Sequence, residues 1–179
     1  MSNSTGKKIL VLGVGNILLR DEGVGVRVVE RLLEHYTFPQ QVTLMDGGIL
    51  GLKLMDYIIA SDYLIVIDAV LNGGNPGILY RLTGDQIRKS LAFKNSLHQT
   101  DLVETLVCCE LVGKRPETVV IGIEPKDYSP WSDELTPVIR DRLPDMVQKV
   151  LQEIEVAGGE PVILSSLAPK RPPQKMKNF

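Results

Sequence analysis

Apolar runs and amphipathic stretches alternate along the first half of the chain. A strand is predicted at Lys8–Val14, where the apolar run is continuous, as in strands buried on both faces. From Gly25 to Tyr36, apolar residues recur at helical spacing with charged residues between them, which predicts an amphipathic helix. A second strand at Gln41–Met45, a short helix around Leu52–Ala60 and a third buried strand at Tyr63–Ala69 are predicted next.

The second half continues in the same way with less regular spacing. The expected elements are a strand of open direction at Ile78–Leu82, a helix at Gln99–Val112, a strand at Thr118–Ile123, a helix from about Asp133 to Ile154 and a short strand at Val162–Leu164. Pro137 falls in the first turn of the last helix, and Pro144 is expected to break or kink it. Buried strands alternating with helices predict an α/β fold with three α/β/α layers and a mostly parallel sheet.

Length and composition limit the organisation and the function. We expect one domain over residues 7–164, a flexible segment at 1–6, and a disordered basic, proline-rich tail at 165–179. The net charge of -2 offers no general attraction for nucleic acid or an acidic membrane. Cys108 and Cys109 are adjacent, which provides neither a disulfide framework nor zinc spacing, so a reducing cytoplasm is expected. Their apolar helical surroundings predict that both cysteines fill the core.

The first strand leads into a glycine turn that departs from a nucleotide-binding pattern. In "GVGNILLRDEG" (residues 13–23), Leu18 stands where a dinucleotide fingerprint has its third glycine. Asp21 and Glu22 follow before the helix, and two acids would repel phosphate. This turn therefore suits a cation better than a phosphate.

Acidic residues lie where the predicted strands end. Glu22 follows the first strand, Asp46 ends the second and Asp68 ends the third. They converge if the first strand lies between the other two, because ligands of parallel sheets bind beyond the carboxyl ends of the strands. Each also has a structural interpretation: Glu22 as a helix-dipole partner and Asp46 as a turn residue. Asp68 is harder to explain in this way, since charge at the end of a buried strand is costly.

His98 is the candidate fourth component. It lies in the polar stretch "NSLHQTD", where a histidine can also be a cap or a surface residue. Two carboxylates and an imidazole form a partial ligand shell for a divalent ion, and these ligand types leave zinc, nickel and manganese open. No G-x-S-x-G nucleophile elbow occurs in the sequence, so a covalent acyl-enzyme is not expected.

These motifs together resemble a known family. The stretches "GVGNILLRDEGVGVRVVERL", "DGGILGL", "LIVIDAV" and "SLHQTDLVETL" occur in this order, and the resemblance covers about Lys8 to Ile154. The chain is similar to the hydrogenase maturation endopeptidases, which process the large subunits of nickel–iron hydrogenases. The resemblance implies a five-stranded twisted sheet with helices on both faces.

The resemblance also implies a site and a task. Glu22, Asp68 and His98 would contact a metal, with Glu22 and Asp68 as the catalytic residues of an aspartyl-type endopeptidase. The stretch Asp46-Gly47-Gly48 and Asn16 would help to recognise the substrate. The task would be removal of a C-terminal extension from the large-subunit precursor after nickel insertion. The nickel would arrive with the substrate, and the protease would test for its presence.

Two other functions remain open at this point. The "GVGN" turn also resembles the start of peptidyl-tRNA hydrolases, although the chain does not continue in that family's pattern. A metal- or nucleotide-binding module without enzymatic activity is the second alternative.

Overall fold

The computed structural model describes residues 6–48, 51–87, 97–129 and 131–164. The expected flexible start (except Gly6) and the expected disordered tail lie outside these ranges. In chain order the elements are β1 (Ile9–Val14), α1 (Val24–His35), β2 (Tyr36–Thr37), β3 (Val42–Gly48), α2 (Met55–Ile59), β4 (Tyr63–Ala69), β5 (Leu79–Thr83), α3 (Leu97–Leu111), β6 (Glu117–Ile123), α4 (Pro137–Val156) and β7 (Val162–Ile163). Short 3-10 turns, Arg20–Gly23 and Gly51–Leu54, precede α1 and α2.

A five-stranded, mostly parallel sheet forms the middle layer. Its order is β3-β1-β4-β6-β5, and β5 alone in this sheet runs antiparallel to its neighbour. The first strand therefore lies between the second and third, which is the condition under which the acids were expected to converge. The strand of open direction at Ile78–Leu82 runs antiparallel. β2 and β7 pair separately as a short antiparallel ribbon.

Helices cover both faces of the sheet, which explains the continuous apolar runs. On one face, Val11 and Ile65 pack with buried residues of α1 and α4. On the other face, Leu12 and Val66 pack with buried residues of α2 and α3. Burial of a side chain of this size stabilises the folded state by roughly 1.5–3 kcal/mol. Both helical layers are therefore needed to keep these strands folded. The three-layer α/β/α prediction is confirmed.

Some predicted boundaries were wrong, for physical reasons. β3 does not end at Met45 but continues to Gly48, with a bulge where the register passes from Gly13/Asp46 to Val14/Gly48. α4 begins at Pro137, since a proline suits the first helical position where its missing N–H costs nothing. Of the two effects expected of Pro144, the break does not occur, since α4 and its buried residues continue on both sides of it. Within the described ranges, no helix has the length and apolar character that crossing a bilayer requires.

Candidate active site

The glycine turn brings the Arg20–Gly23 turn onto the carboxyl edge of the sheet. Gly15 has a φ of 127°, and a Cβ there would overlap the carbonyl oxygen of Glu22. A Cβ on Gly25 would overlap the carbonyl oxygens of Val14 and Ile67. The glycines therefore let the turn and the first residues of α1 press against the ends of β1 and β4. The spacing of Gly15 and Gly25 thus allows close packing of the main chain around Glu22.

Glu22 is buried within this turn. Burial raises the pKa of its carboxyl above the ordinary value of 4.5, because the charged form loses water. The turn also contacts β4, the strand that carries Asp68. Glu22 is thus held as a desolvated carboxyl at the sheet edge, rather than as a solvated partner of the helix dipole.

Asp68 is the second buried acid of this edge. It lies next to Gly122 of β6 in the strand register. It is two residues from both Val66 and Val70, so it belongs with them to the face covered by α2 and α3. Its Oδ1 accepts a hydrogen bond from the N–H of Ala69 at 2.8 Å. This bond orients the carboxylate at the end of the strand.

One oxygen of each acid is fully buried: Oε2 of Glu22 and Oδ2 of Asp68. Both residues take part in further interactions, so neither side chain is isolated. Carboxylate oxygens in such surroundings suit a cation or a proton donor.

Asp46 and Asn16 have local roles at the same edge. Oδ1 of Asp46 accepts the N–H of Gly48 at 2.9 Å, and Oδ1 of Asn16 accepts the N–H of Leu18 at 3.0 Å. The carbonyl of Gly48 in turn accepts the N–H of Gly15 at 3.0 Å. Asp46 is exposed within the bulged end of β3, and its carboxylate makes this local bond to the main chain. Gly47, at the bulge, packs against Leu12.

His98 lies in the first turn of α3. Its side chain is outside the described part of the structure, and so its expected meeting with Glu22 and Asp68 stays a prediction. Among the described residues, no three acidic, histidine or cysteine side chains come together in a group suited to a metal ion.

Asp21, expected from the sequence only as one of two acids in a turn that suits a cation, has a structural role. It is fully buried, and its carboxylate accepts the N–H groups of Lys126 and Asp127 at 3.0 Å each. It also accepts the N–H and the hydroxyl of Thr136, at 2.7 and 2.9 Å. Asp21 thereby fixes the segment before α4 against the turn that carries Glu22. In the sequence, its only signal is an acid beside another acid.

Glu124 is a second missed acid, just beyond the end of β6. Its Oε2 accepts the N–H groups of Asn72 and Gly74 and the hydroxyl of Tyr80, the last at 2.7 Å. Burial, together with this hydrogen bond and the negative charge of Glu124, raises the pKa of Tyr80 to about 12. Glu124 thus holds the loop that follows β4. An acid directly after a buried strand was the signal that identified Asp68, and it applies equally here.

The loop before the turn pairs with a distant segment. The N–H of Arg20 donates to the carbonyl of Ser132 at 2.9 Å, and Leu19 and Ser132 form a parallel bridge. Arg20 also lies 3.4 Å from a carboxylate oxygen of Asp127. Arg20 and Trp131 both have positive φ, 52° and 73°. The rim of the site is therefore built from two segments far apart in the sequence.

Comparison with known proteins gives a consistent family. The sequence model of a family described as hydrogenase maturation protease matches residues 26–153. The chain is similar to the hydrogenase expression/formation protein HupD of Bradyrhizobium diazoefficiens, with 43% identity over 157 residues, 85% of this chain and 82% of that protein. It is also similar to the Hydrogenase 2 maturation protease of Escherichia coli K12, with 34% identity over 157 residues, 87% of this chain and 95% of the other.

The solved structures agree with the sequences. The hydrogenase maturating endopeptidase HybD from Escherichia coli superposes with a TM-score of 0.85 at 34% identity, over 89% of this chain and 99% of that one. A [NiFe] hydrogenase maturation protease HybD from Thermococcus kodakarensis shares the fold, with a TM-score of 0.68 at 22% identity, over 82% of this chain and 98% of that one.

Proposed function

This chain belongs to the hydrogenase maturation protease family, and from that premise we propose what its site does. It removes the C-terminal extension from the precursor of a nickel–iron hydrogenase large subunit, after nickel has been inserted. Glu22, Asp68 and His98 contact the nickel that the precursor carries. The observation that carries the proposal is the pair of buried acids, Glu22 and Asp68, which adjacent elements hold at one edge of the sheet.

The position of α3 supports the third contact. Position 98 lies one helical turn before Leu102, which is buried against the sheet face to which Asp68 also belongs. Imidazole and carboxylate ligands together suit a divalent transition metal.

The metal is proposed to belong to the substrate. The three ligands come from separate segments of the protease, so by themselves they should hold nickel weakly. A nickel ion already fixed in the precursor brings its own ligands, and the two proteins then share it. Binding through the metal would make cleavage depend on nickel insertion.

Two chemical roles are compatible with this arrangement. The nickel can polarise the scissile carbonyl, or it can only position the peptide while a carboxylate acts as general base on a water molecule. In the second role, Glu22 is proposed as the base, since it is buried in the turn that contacts β4 at the sheet edge. Asp68, oriented by the N–H of Ala69, is then the second catalytic carboxylate.

Recognition is proposed to involve the edge formed by β3 and the glycine turn. The exposed Asp46 and the half-buried Asn16 both lie at this edge, next to Gly47 and Gly48. Their side chains hold tight turns, which keeps the main chain around them in a defined shape for an incoming peptide.

The proposal places the protein in the cytoplasm, with a protein partner and no role at a membrane or on nucleic acid. The net charge of -2 and the free thiols of Cys108 and Cys109 support this setting.

The test is a processing assay with purified components. Nickel-loaded precursor should be shortened, and metal-free precursor should stay uncut under the same conditions. Chelator added before nickel insertion should block cleavage, whereas chelator added afterwards should inhibit little. Cleavage of metal-free precursor by zinc-loaded protease would instead indicate an ordinary metallopeptidase. No cleavage under any of these conditions would favour a binding module or an esterase.

A further inference from the structure

Trp131 occupies an unusual position for the only tryptophan of the chain. Its side chain is 82% exposed, although tryptophan is among the most costly residues to leave in water. Its φ of 73° falls in the left-handed region, which glycine adopts freely and bulky residues rarely adopt. A strained residue that displays a large apolar side chain indicates a function outside the fold.

Backbone hydrogen bonds hold Trp131 beside another exposed apolar segment. The N–H groups of Trp131 and Ser132 both donate to the carbonyl of Leu18, at 3.2 Å each. Leu18 and its neighbour Ile17 are themselves exposed. We call Ile17, Leu18 and Trp131 the apolar rim.

The apolar rim is continuous with the turn that carries Glu22. The N–H of Glu22 donates to the carbonyl of Leu19 at 3.2 Å, directly after the rim residues. A Cβ on Gly23 would lie only 2.7 Å from Cα of Ile17, so the two segments are in close contact. A peptide held at Glu22 must therefore pass close to the rim.

We infer that the apolar rim docks an apolar segment of the protease's polypeptide substrate, beside the bond that is cut. The inference rests on the proposed function. It adds a second place at which the substrate binds, besides the contact through its metal. Exposed tryptophans beside aliphatic residues dominate the energy of many protein interfaces. A second copy of this chain is a poorer occupant, because it would cover the approach to Glu22.

The decisive variant is Trp131→Gly. Glycine suits the positive φ, so this change removes the side chain without adding backbone strain, and the fold should remain intact. KM for nickel-loaded precursor should rise about tenfold or more, while kcat stays close to the wild-type value. Glu22→Gln should lower kcat, since Glu22 is proposed as a catalytic carboxylate. Leu111→Ala is the matched control, since Leu111 is 81% exposed at the C-terminal end of α3, at the opposite edge of the sheet.

Fluorescence provides a readout that does not depend on cleavage. Trp131 is the only tryptophan of the chain, so tryptophan fluorescence reports on this position alone. When a tryptophan-free peptide that spans the cleavage site binds, the emission of Trp131 should shift to shorter wavelength. The Glu22→Gln variant should show the same shift, and a peptide with serine in place of its apolar residues should not.

The possible results separate the inference from the proposed function. If the wild-type protein cuts the precursor and Trp131→Gly leaves both KM and the peptide's affinity unchanged, the docking inference is wrong and the proposed function stands. If the wild-type protein dimerises and Trp131→Gly abolishes the dimer, a second copy is the occupant and the inference is also wrong. Failure of the wild-type protein to cut nickel-loaded precursor would contradict the proposed function and the inference together.

Discussion

The carbonyl oxygen of Glu22 occupies the space that a side chain on Gly15 would need. Gly15→Ala should therefore cost roughly 2–4 kcal/mol of stability, through the overlap and the strain of its positive φ. The variant should also lose processing activity per folded molecule, because the turn with Glu22 must move. Urea denaturation and the processing assay measure the two effects.

Gly73→Ala is the matched control for this change. Gly73 has a φ of 79°, but no atom lies within 4 Å of an added Cβ, so only the strain should remain. Equal stability losses in the two variants would contradict the close packing of Gly15 against Glu22.

The carboxylate of Asp21 organises the segment before α4. Asp21→Ala should lower the free energy of unfolding by roughly 3–5 kcal/mol, because the change leaves several hydrogen-bond donors without their acceptor. Asp21→Asn should cost less, since one acceptor oxygen remains. Asp133→Asn, an exposed change in the same segment, should have little effect. A loss below about 1 kcal/mol for Asp21→Ala in chemical denaturation would contradict this role.

The buried charge of Glu22 makes stability depend on pH. Since burial raises its folded pKa above 4.5, the folded state favours the protonated acid. Its favourable contribution is complete below the unfolded pKa and is lost as pH rises through the folded pKa. Glu22→Gln should therefore be more stable than the wild-type protein at pH 7, and this gain should vanish below about pH 4.5.

Thermal unfolding from pH 4 to pH 8 in the presence of chelator measures this dependence. Glu34→Gln, an exposed change near the end of α1, is the control. A Glu22→Gln variant that is less stable than the wild-type protein at pH 7 would contradict the interpretation.

Tyr80 should titrate far above an ordinary tyrosine. Its pKa of about 12 follows from burial and from the neighbouring Glu124, so Glu124→Gln should lower that pKa. Because the folded pKa is raised from 10.0, the stabilising contribution of Tyr80 is complete below pH 10 and is lost between about pH 10 and 12. Ultraviolet titration of the wild-type protein against Tyr80→Phe assigns the transition. If Tyr80 titrates in the Glu124→Gln variant at the same pH as in the wild-type protein, Glu124 has no influence on the pKa of Tyr80.

The two cysteines should separate in their effects on stability. Cys109 lies in α3 and is fully buried in the core, and burial raises the pKa of its thiol, whereas Cys108, also in α3, is half-buried. The prediction that both fill the core was thus right for Cys109 alone. Cys109→Ala should cost about 1–3 kcal/mol and Cys108→Ala less than about 0.5 kcal/mol. Both variants should process precursor normally per folded molecule, and rapid alkylation of Cys109 in the native state would contradict its burial.

The strands that lie in the centre of the sheet were predictable because both of their faces are covered. β4 was predicted with its observed limits, and β1 differs by one residue. The limits of β3 were less predictable, since Gly47 and Gly48 have low strand propensity and indicate a turn. The direction of β5 depends on its pairing with β6, which an alternating pattern does not encode.

The candidate site was predictable only where residue type and strand position coincide. Asp68 follows an apolar run that predicts burial, and the structure buries it. Asp21 and Glu22 are adjacent acids with no such contrast, and their different roles arise from a segment more than a hundred residues away. Sequence spacing near the turn carries no information about that contact.

The bond between Asp21 and Thr136 spans 115 residues of sequence, and this separation determines when the site can form during folding. Contacts of such long range carry a large loop-closure entropy, so they are expected to form late. A growing chain that has not yet produced α4 cannot complete the support of the turn that holds Glu22. The protease should therefore gain its activity only after α4 has been synthesised and has packed against this turn.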